Sequence, residues 1–161
     1  MNRMIDAIDR QIMAILQESG RTSNAEVARR LGMAASGVFE RIKRLEERGI
    51  VKGYTALISP ESVDLGLLAF ISVRTEDPVG GDATARELAK RPEIQEVHHV
   101  AGEDCYLVKV RVKDTAALSQ LMKEIGGLRK VRSTRTTVVL ETTKESITLP
   151  ISAPKRSKEK S

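Results

Sequence analysis

Residues 22–49, Thr22-Ser-Asn-Ala-Glu-Val-Ala-Arg-Arg-Leu-Gly-Met-Ala-Ala-Ser-Gly-Val-Phe-Glu-Arg-Ile-Lys-Arg-Leu-Glu-Glu-Arg-Gly49, read as two short helices joined by a tight turn. Ser23-Asn24-Ala25-Glu26 has the form of a capping box, in which the hydroxyl takes a free amide and the carboxylate reaches back. Val27, Ala28 and Leu31 supply that helix's buried side, and Gly32 ends it. The next helix begins around Ala35 or Ser36 and closes at Gly49. Val38, Ile42 and Leu45 face inward with Phe39 beside them, while Ser36, Glu40, Arg41, Lys43, Arg44 and Glu47 face out. A short helix, a glycine-containing turn and a basic helix are how a chain presents side chains to the DNA major groove.

Upstream, Ile5, Ile8, Ile12, Ile15 and Leu16 mark one face of a first helix that ends near Gly20. Downstream, Val51–Ile58 reads as extended chain, a wing or connecting strand, until Ser59-Pro60 breaks it. The rhythm then changes. Strand-like residues 67–75 precede a helical stretch over 82–91, an extended run over 94–101 and a turn at Gly102-Glu103-Asp104. Cys105–Val112 alternates, with Tyr106, Val108, Val110 and Val112 on one face. A helix comes next with Leu118, Leu121, Met122 and Ile125 inward, and Val131–Thr142 reads as the last strand. The order βαββαβ is a ferredoxin-like α+β arrangement, an antiparallel sheet with two helices on one face.

Charge is concentrated at the two ends. Residues 1–58 hold 10 Lys/Arg against 7 Asp/Glu, residues 59–145 hold 13 against 14, and residues 146–161 hold 4 against 1. Phe39, Tyr54, Phe70 and Tyr106 are the only aromatics, too few for a module that stacks single-stranded bases. No apolar run approaches the roughly 18 residues of a membrane span. The opening residues read as a helix and not a secretory leader, and Cys105 has no partner for a disulfide, which suits a reducing cytoplasm. These features predict a winged helix-turn-helix over 1–50, a wing or linker over 51–66, a ferredoxin-like domain over 67–145 and a disordered basic tail over 146–161.

With both halves in view, the chain resembles the leucine-responsive/asparagine-regulator (Lrp/AsnC) family of bacterial and archaeal transcription regulators. The resemblance rests on Ile8-Asp9, Gly20-Arg21-Thr22-Ser23-Asn24, Leu31-Gly32, Arg41-Ile42-Lys43-Arg44-Leu45-Glu46 and Gly53-Tyr54. In the second half it rests on His98–Leu107 and Thr134-Arg135-Thr136. It implies a winged helix-turn-helix joined to a ferredoxin-like domain that dimerises, assembles further into rings such as octamers, and senses small amino acids.

For DNA, the first turn of the second helix of the pair reaches base edges, so Ser36, Gly37, Val38 and Glu40 are candidates for reading sequence. Arg41, Lys43 and Arg44 are expected on phosphates, with Ser23 and Asn24 capping the preceding helix against the backbone. The plainer alternative is a solvated face laced with salt bridges, Glu40 to Arg44 among them. Ala34-Ala35 stands where the family commonly has Ser or Thr, so Ser36 is expected to cap a slightly shorter helix.

For an effector, Gly102-Glu103-Asp104 offers backbone amides for a carboxylate and an acid for an ammonium. The resemblance adds Cys105, Tyr106, Thr134 and Thr136 to that region; Cys105 stands where the family often has Asp. A plain hairpin turn would use the same residues. No cofactor, metal or catalytic centre is expected. His98 and His99 point to opposite faces of a strand, and nothing suggests a base to activate Cys105. Two other functions fit parts of the chain. Siroheme decarboxylases are similar to this family in both domains, and a nucleoid-associated DNA-bending protein would suit the basic tail.

Overall fold

Asp6 starts helix α1 (Ala7–Glu18) by accepting the Asp9 amide at 2.8 Å, while Asp9 accepts the Asp6 amide at 3.2 Å, a full capping box. Helix α2 (Asn24–Leu31) has only half of one. Ser23 Oγ accepts the Glu26 amide at 3.2 Å, but the Glu26 carboxylate turns away to Arg29 and Arg30. Gly32 then ends α2 at φ 65°, a conformation that favours glycine. Helix α3 (Ala35–Glu47) is preceded by Ala34, which offers no side-chain cap. Ser36 therefore lies inside the first turn and does not cap the helix as expected. The three helices close on Ile12, Val27, Val38 and Leu45.

The structure, a computed structural model, describes residues 5–78 and 81–151. They divide into two units, one formed by the chain up to Ala56 with the segment from Ser146, the other by Leu57–Glu145. In the first unit, the residues after α3 run extended and pair with no strand among the described residues. The Tyr54 hydroxyl donates to Glu46 Oε1 at 2.9 Å, and burial, then Glu46, pushes its pKa up to about 12. A Cβ at Gly20 would stand 3.0 Å from the Tyr54 ring, so glycine makes room for that contact.

The tail departs from expectation over its first residues. Residues 146–151 belong to the first unit, and Leu149 exchanges two hydrogen bonds with the Gln17 side chain on α1. A free backbone N–H and C=O find in one amide the partners a strand would give them. The rest of the predicted tail, 152–161, lies outside the described residues.

The second unit is the expected βαββαβ fold. It runs β1 (Leu67–Thr75), α4 (Ala83–Leu88), β2 (Ile94–His99), β3 (Tyr106–Val112), α5 (Thr115–Gly126) and β4 (Val131–Val138). The sheet order is β2-β3-β1-β4, all pairs antiparallel. Alternation puts Ala69, Ile71 and Val73 with Tyr106, Val108 and Val110 under Leu88, Leu118, Leu121 and Ile125. β4 stops earlier than the Thr/Val-rich sequence suggests because β1 supplies no more edge. Leu68 takes the Val139 amide at 2.9 Å, and Leu140 beyond it is 98% exposed.

Asp77 ties this unit together at one end. Its carboxylate accepts the Thr84 amide at 3.2 Å and Lys130 Nζ at 3.0 Å, with its side chain only 4% exposed. Thr84, then Lys130, hold the carboxyl below its ordinary 3.8 against the opposing effect of burial. A lowered folded pKa means stabilisation present above 3.8 and lost as the pH falls through the folded value. Asp77→Ala is expected to cost about 2 kcal/mol at neutral pH. Urea unfolding should show the gap to the parent closing in acid.

Candidate DNA-binding surface and effector loop

The outward face of α3 carries Ser36, Phe39, Glu40, Lys43, Arg44 and Glu47, all exposed. These positions recur at three and four residues, one face of a helix. Lys43 Nζ lies 3.9 Å from Glu47, a loose pair between exposed groups that is worth little. Arg44 Nε donates to the Glu40 carbonyl at 3.2 Å and makes no pair with the Glu40 carboxylate. The salt-bridged face expected as the plain alternative is therefore sparse.

Two predicted DNA contacts are not on this face. Val38 is 0% exposed in the core of the unit and cannot meet a base edge; its apolar side chain completes the α1–α2–α3 packing. Arg41 is turned toward α1. Its Nη1 donates to Asp6 Oδ2 and Asp9 Oδ1, both at 2.7 Å, with the side chain 19% exposed. The Asp6 and Asp9 carboxylates raise its already high pKa. Burial alone would raise the Asp6 carboxyl, yet the Arg41 bond and the Asp9 amide leave it lowered. Arg41 thus clamps the start of α1 to α3. Gly37 is half-buried against Met33.

Phe39 belongs to the surface, although its hydrophobicity suggests the core. It is 50% exposed and lines, with Lys43, Asn24 and Tyr54, a concavity of about 360 Å³. Helical arithmetic points the same way, since it lies three residues after Ser36 and four before Lys43. Ser23 and Asn24 open α2 as predicted. On α2, Arg29 and Arg30 share the Glu26 carboxylate at 2.8 and 2.9 Å. Arg29, then Arg30, lower the Glu26 pKa to about 2, so the cluster stays ionised at neutral pH.

In the second unit, the predicted effector residues fall on two sides of the sheet. Gly102, at φ 134°, and Glu103 are exposed in the loop between β2 and β3. Asp104 accepts Arg135 Nη2 at 2.8 Å, so that loop is braced to β4. Tyr106, Thr134 and Thr136 instead face the helices. Tyr106 is 2% exposed and donates to the Gly81 carbonyl at 3.0 Å. Thr136 Oγ1 contacts Met122 Sδ at 3.4 Å. Thr134 pairs with Val73, in the same buried row as Tyr106. The Cys105 thiol lies 3.4 Å from the Thr75 amide. Strand alternation turns Thr134 and Thr136 to the side opposite Arg135, and both threonines are half-buried there.

His98 meets Glu96 at 3.0 Å, while the His99 ring stacks obliquely on Tyr106 at 5.2 Å. The two imidazoles thus serve opposite faces. Among the described residues no cluster of three His, Cys, Asp or Glu could hold a metal, and no helix is long and apolar enough to cross a membrane.

Comparison with known proteins finds a family match for each half of the chain. Residues 5–52 match the winged helix-turn-helix DNA-binding family, and residues 68–149 match the Lrp/AsnC ligand binding domain. The leucine-responsive regulatory protein of Escherichia coli K12 is 40% identical over 150 residues, 91% of this chain and 92% of that protein.

The chain belongs to the Lrp/AsnC family.

It is a DNA-binding transcription regulator of the Lrp/AsnC type. The HTH-type transcriptional regulator FL11 of Pyrococcus furiosus is 36% identical, covering 94% of this chain and 99% of that one. Among solved structures, the feast or famine regulatory protein of M. tuberculosis complexed with L-methionine aligns at TM-score 0.84 with 37% identity, covering 91% of this chain and 99% of that one. A transcriptional regulator of Neisseria meningitidis in complex with L-Met aligns at 0.84 with 34% identity, covering 91% and 97%. The relatives are named as regulators and not as enzymes.

Proposed function

We propose that this Lrp/AsnC regulator reads an operator with the outward face of α3 and changes its DNA affinity when a small amino acid binds its second unit. The observation that carries the reading is the α3 face itself: Ser36 and Glu40 near its start, Lys43 and Arg44 behind them, all exposed and lightly paired. Ser36, Phe39 and Glu40 meet base edges, and Phe39 suits a thymine methyl. Lys43 and Arg44 take phosphates. Ala34 leaves the first-turn amides of α3 uncapped, and a phosphate satisfies such groups.

In the second unit, Glu103 and the amides around Gly102 are the accessible parts of the loop, suited to an ammonium and a carboxylate; Asp104 is engaged by Arg135. Two Lrp/AsnC relatives with L-methionine bound favour an amino acid over other small molecules. The protein works in the cytoplasm, without a cofactor or catalysis, as a homodimer that assembles into larger rings such as octamers. Leu57, Ile58 and Leu140, 79%, 63% and 98% exposed, are apolar surface that a partner copy would cover. The effector acts by favouring one assembly, which requires unequal affinity for the two.

Fluorescence anisotropy on the DNA upstream of its own gene, with and without a pool of L-amino acids, tests this. A shift of threefold or more in affinity is expected with the pool. Glu103→Gln should weaken the response about tenfold, through the lost ammonium contact, and leave effector-free DNA binding intact. An unchanged affinity at saturating pool would mean that no amino acid controls this protein.

A further inference from the structure

We infer that Tyr54 is a positioning residue for DNA binding: its hydroxyl holds the Glu46 carboxylate away from Lys43 and so keeps Lys43 open to a phosphate. The inference rests on Lys43 taking a phosphate, and it concerns a residue that lies outside α3 altogether.

Lys43 has two acidic neighbours on its own helix. Glu46 lies three residues on and Glu47 four, and both spacings bring side chains together on a helix surface. Glu47 holds the ammonium only loosely, at 3.9 Å. Glu46 lines the same concavity as Lys43, beside Asn24 and Phe39, and is placed to neutralise the cation that faces DNA. Its carboxylate is engaged elsewhere, since the Tyr54 hydroxyl donates to Glu46 Oε1 at 2.9 Å. Among the described residues no ion pair joins Glu46 to Lys43.

The phenol is set for this task by what surrounds it. Its ring lies against the turn between α1 and α2, where a Cβ on Gly20 would stand 3.0 Å from Cδ1. Burial, then Glu46, push its pKa to about 12, so at neutral pH the hydroxyl keeps its proton and donates. A hydrogen bond to an ionised acceptor is about twice as strong as a neutral one, whereas an exposed Lys–Glu pair is weak and screened by salt. The carboxylate therefore stays with Tyr54. Replacing the phenol by Phe keeps the ring on Gly20 and removes only the donor, which releases Glu46 to Lys43.

The test measures anisotropy on the upstream and scrambled duplexes at about 50 and 200 mM salt. Tyr54→Phe is placed in three backgrounds, the parent, Glu46→Gln and Lys43→Ala, each checked for folding by circular dichroism. In the parent it should cost about threefold in affinity at the lower salt, on both duplexes alike, and less at the higher salt. In Glu46→Gln and in Lys43→Ala it should cost nothing, because one member of the competing pair is gone. Parent-like affinity for Tyr54→Phe would overturn the inference. So would an equal loss that survives in Lys43→Ala, which would make Tyr54 a structural residue or a DNA contact in its own right. Lys43→Ala alone should lower the salt slope by about 1 per protomer; an unchanged slope there would remove the phosphate contact itself, and this role of Tyr54 with it.

Discussion

Arg41→Ala is expected to lower the stability of the first unit by about 2–3 kcal/mol, because it leaves two carboxylates together with their cation gone. Asp9 is 13% exposed in its side chain, so it cannot recover full hydration in place. For a unit of this size the melting temperature should fall by about 10 °C or more, as circular dichroism would read it. The loss depends on pH with a definite sign. Asp6 has a folded pKa below its ordinary 3.8, so the clamp is complete above that value and weakens as the pH falls below it. A variant that melts like the parent but loses DNA would return Arg41 to the phosphate contacts.

The double substitution Lys43→Ala with Arg44→Ala should do the opposite. Both side chains are exposed and make no buried contact, so folding should be unchanged within about 0.5 kcal/mol. Binding should weaken by about 10- to 100-fold on every duplex, and the salt slope should fall by about 2 per protomer. Loss confined to one sequence would mean that these two cations read bases and not phosphates.

The contrast between Arg41 and its neighbours marks where the sequence stops being legible. The helical period places α1, α2 and α3, and alternation places β3, since burial of Val108 and Val110 or of Ile12 and Ile15 depends on position within one element. Arg41's role depends on Asp6 and Asp9, residues more than 30 positions away on another helix, and no local pattern announces that meeting. Phe39 misleads for a simpler reason: its hydrophobicity points inward while its position on the helix points out. Family resemblance groups Thr134 and Thr136 with the effector loop, although strand alternation sends them to the face of Val73 and Ile71. Docking of Leu149 on Gln17, 132 residues apart, is out of reach of any local reading.

If Ser36 and Glu40 on α3 select the DNA sequence, the most direct measurement is the ratio of affinities for the upstream and scrambled duplexes, parent against Ser36→Ala with Glu40→Ala. The ratio is expected to collapse toward one while binding to the scrambled duplex is kept, since each lost base contact is worth about 1–3 kcal/mol of discrimination. An unchanged ratio would place sequence reading elsewhere on the molecule.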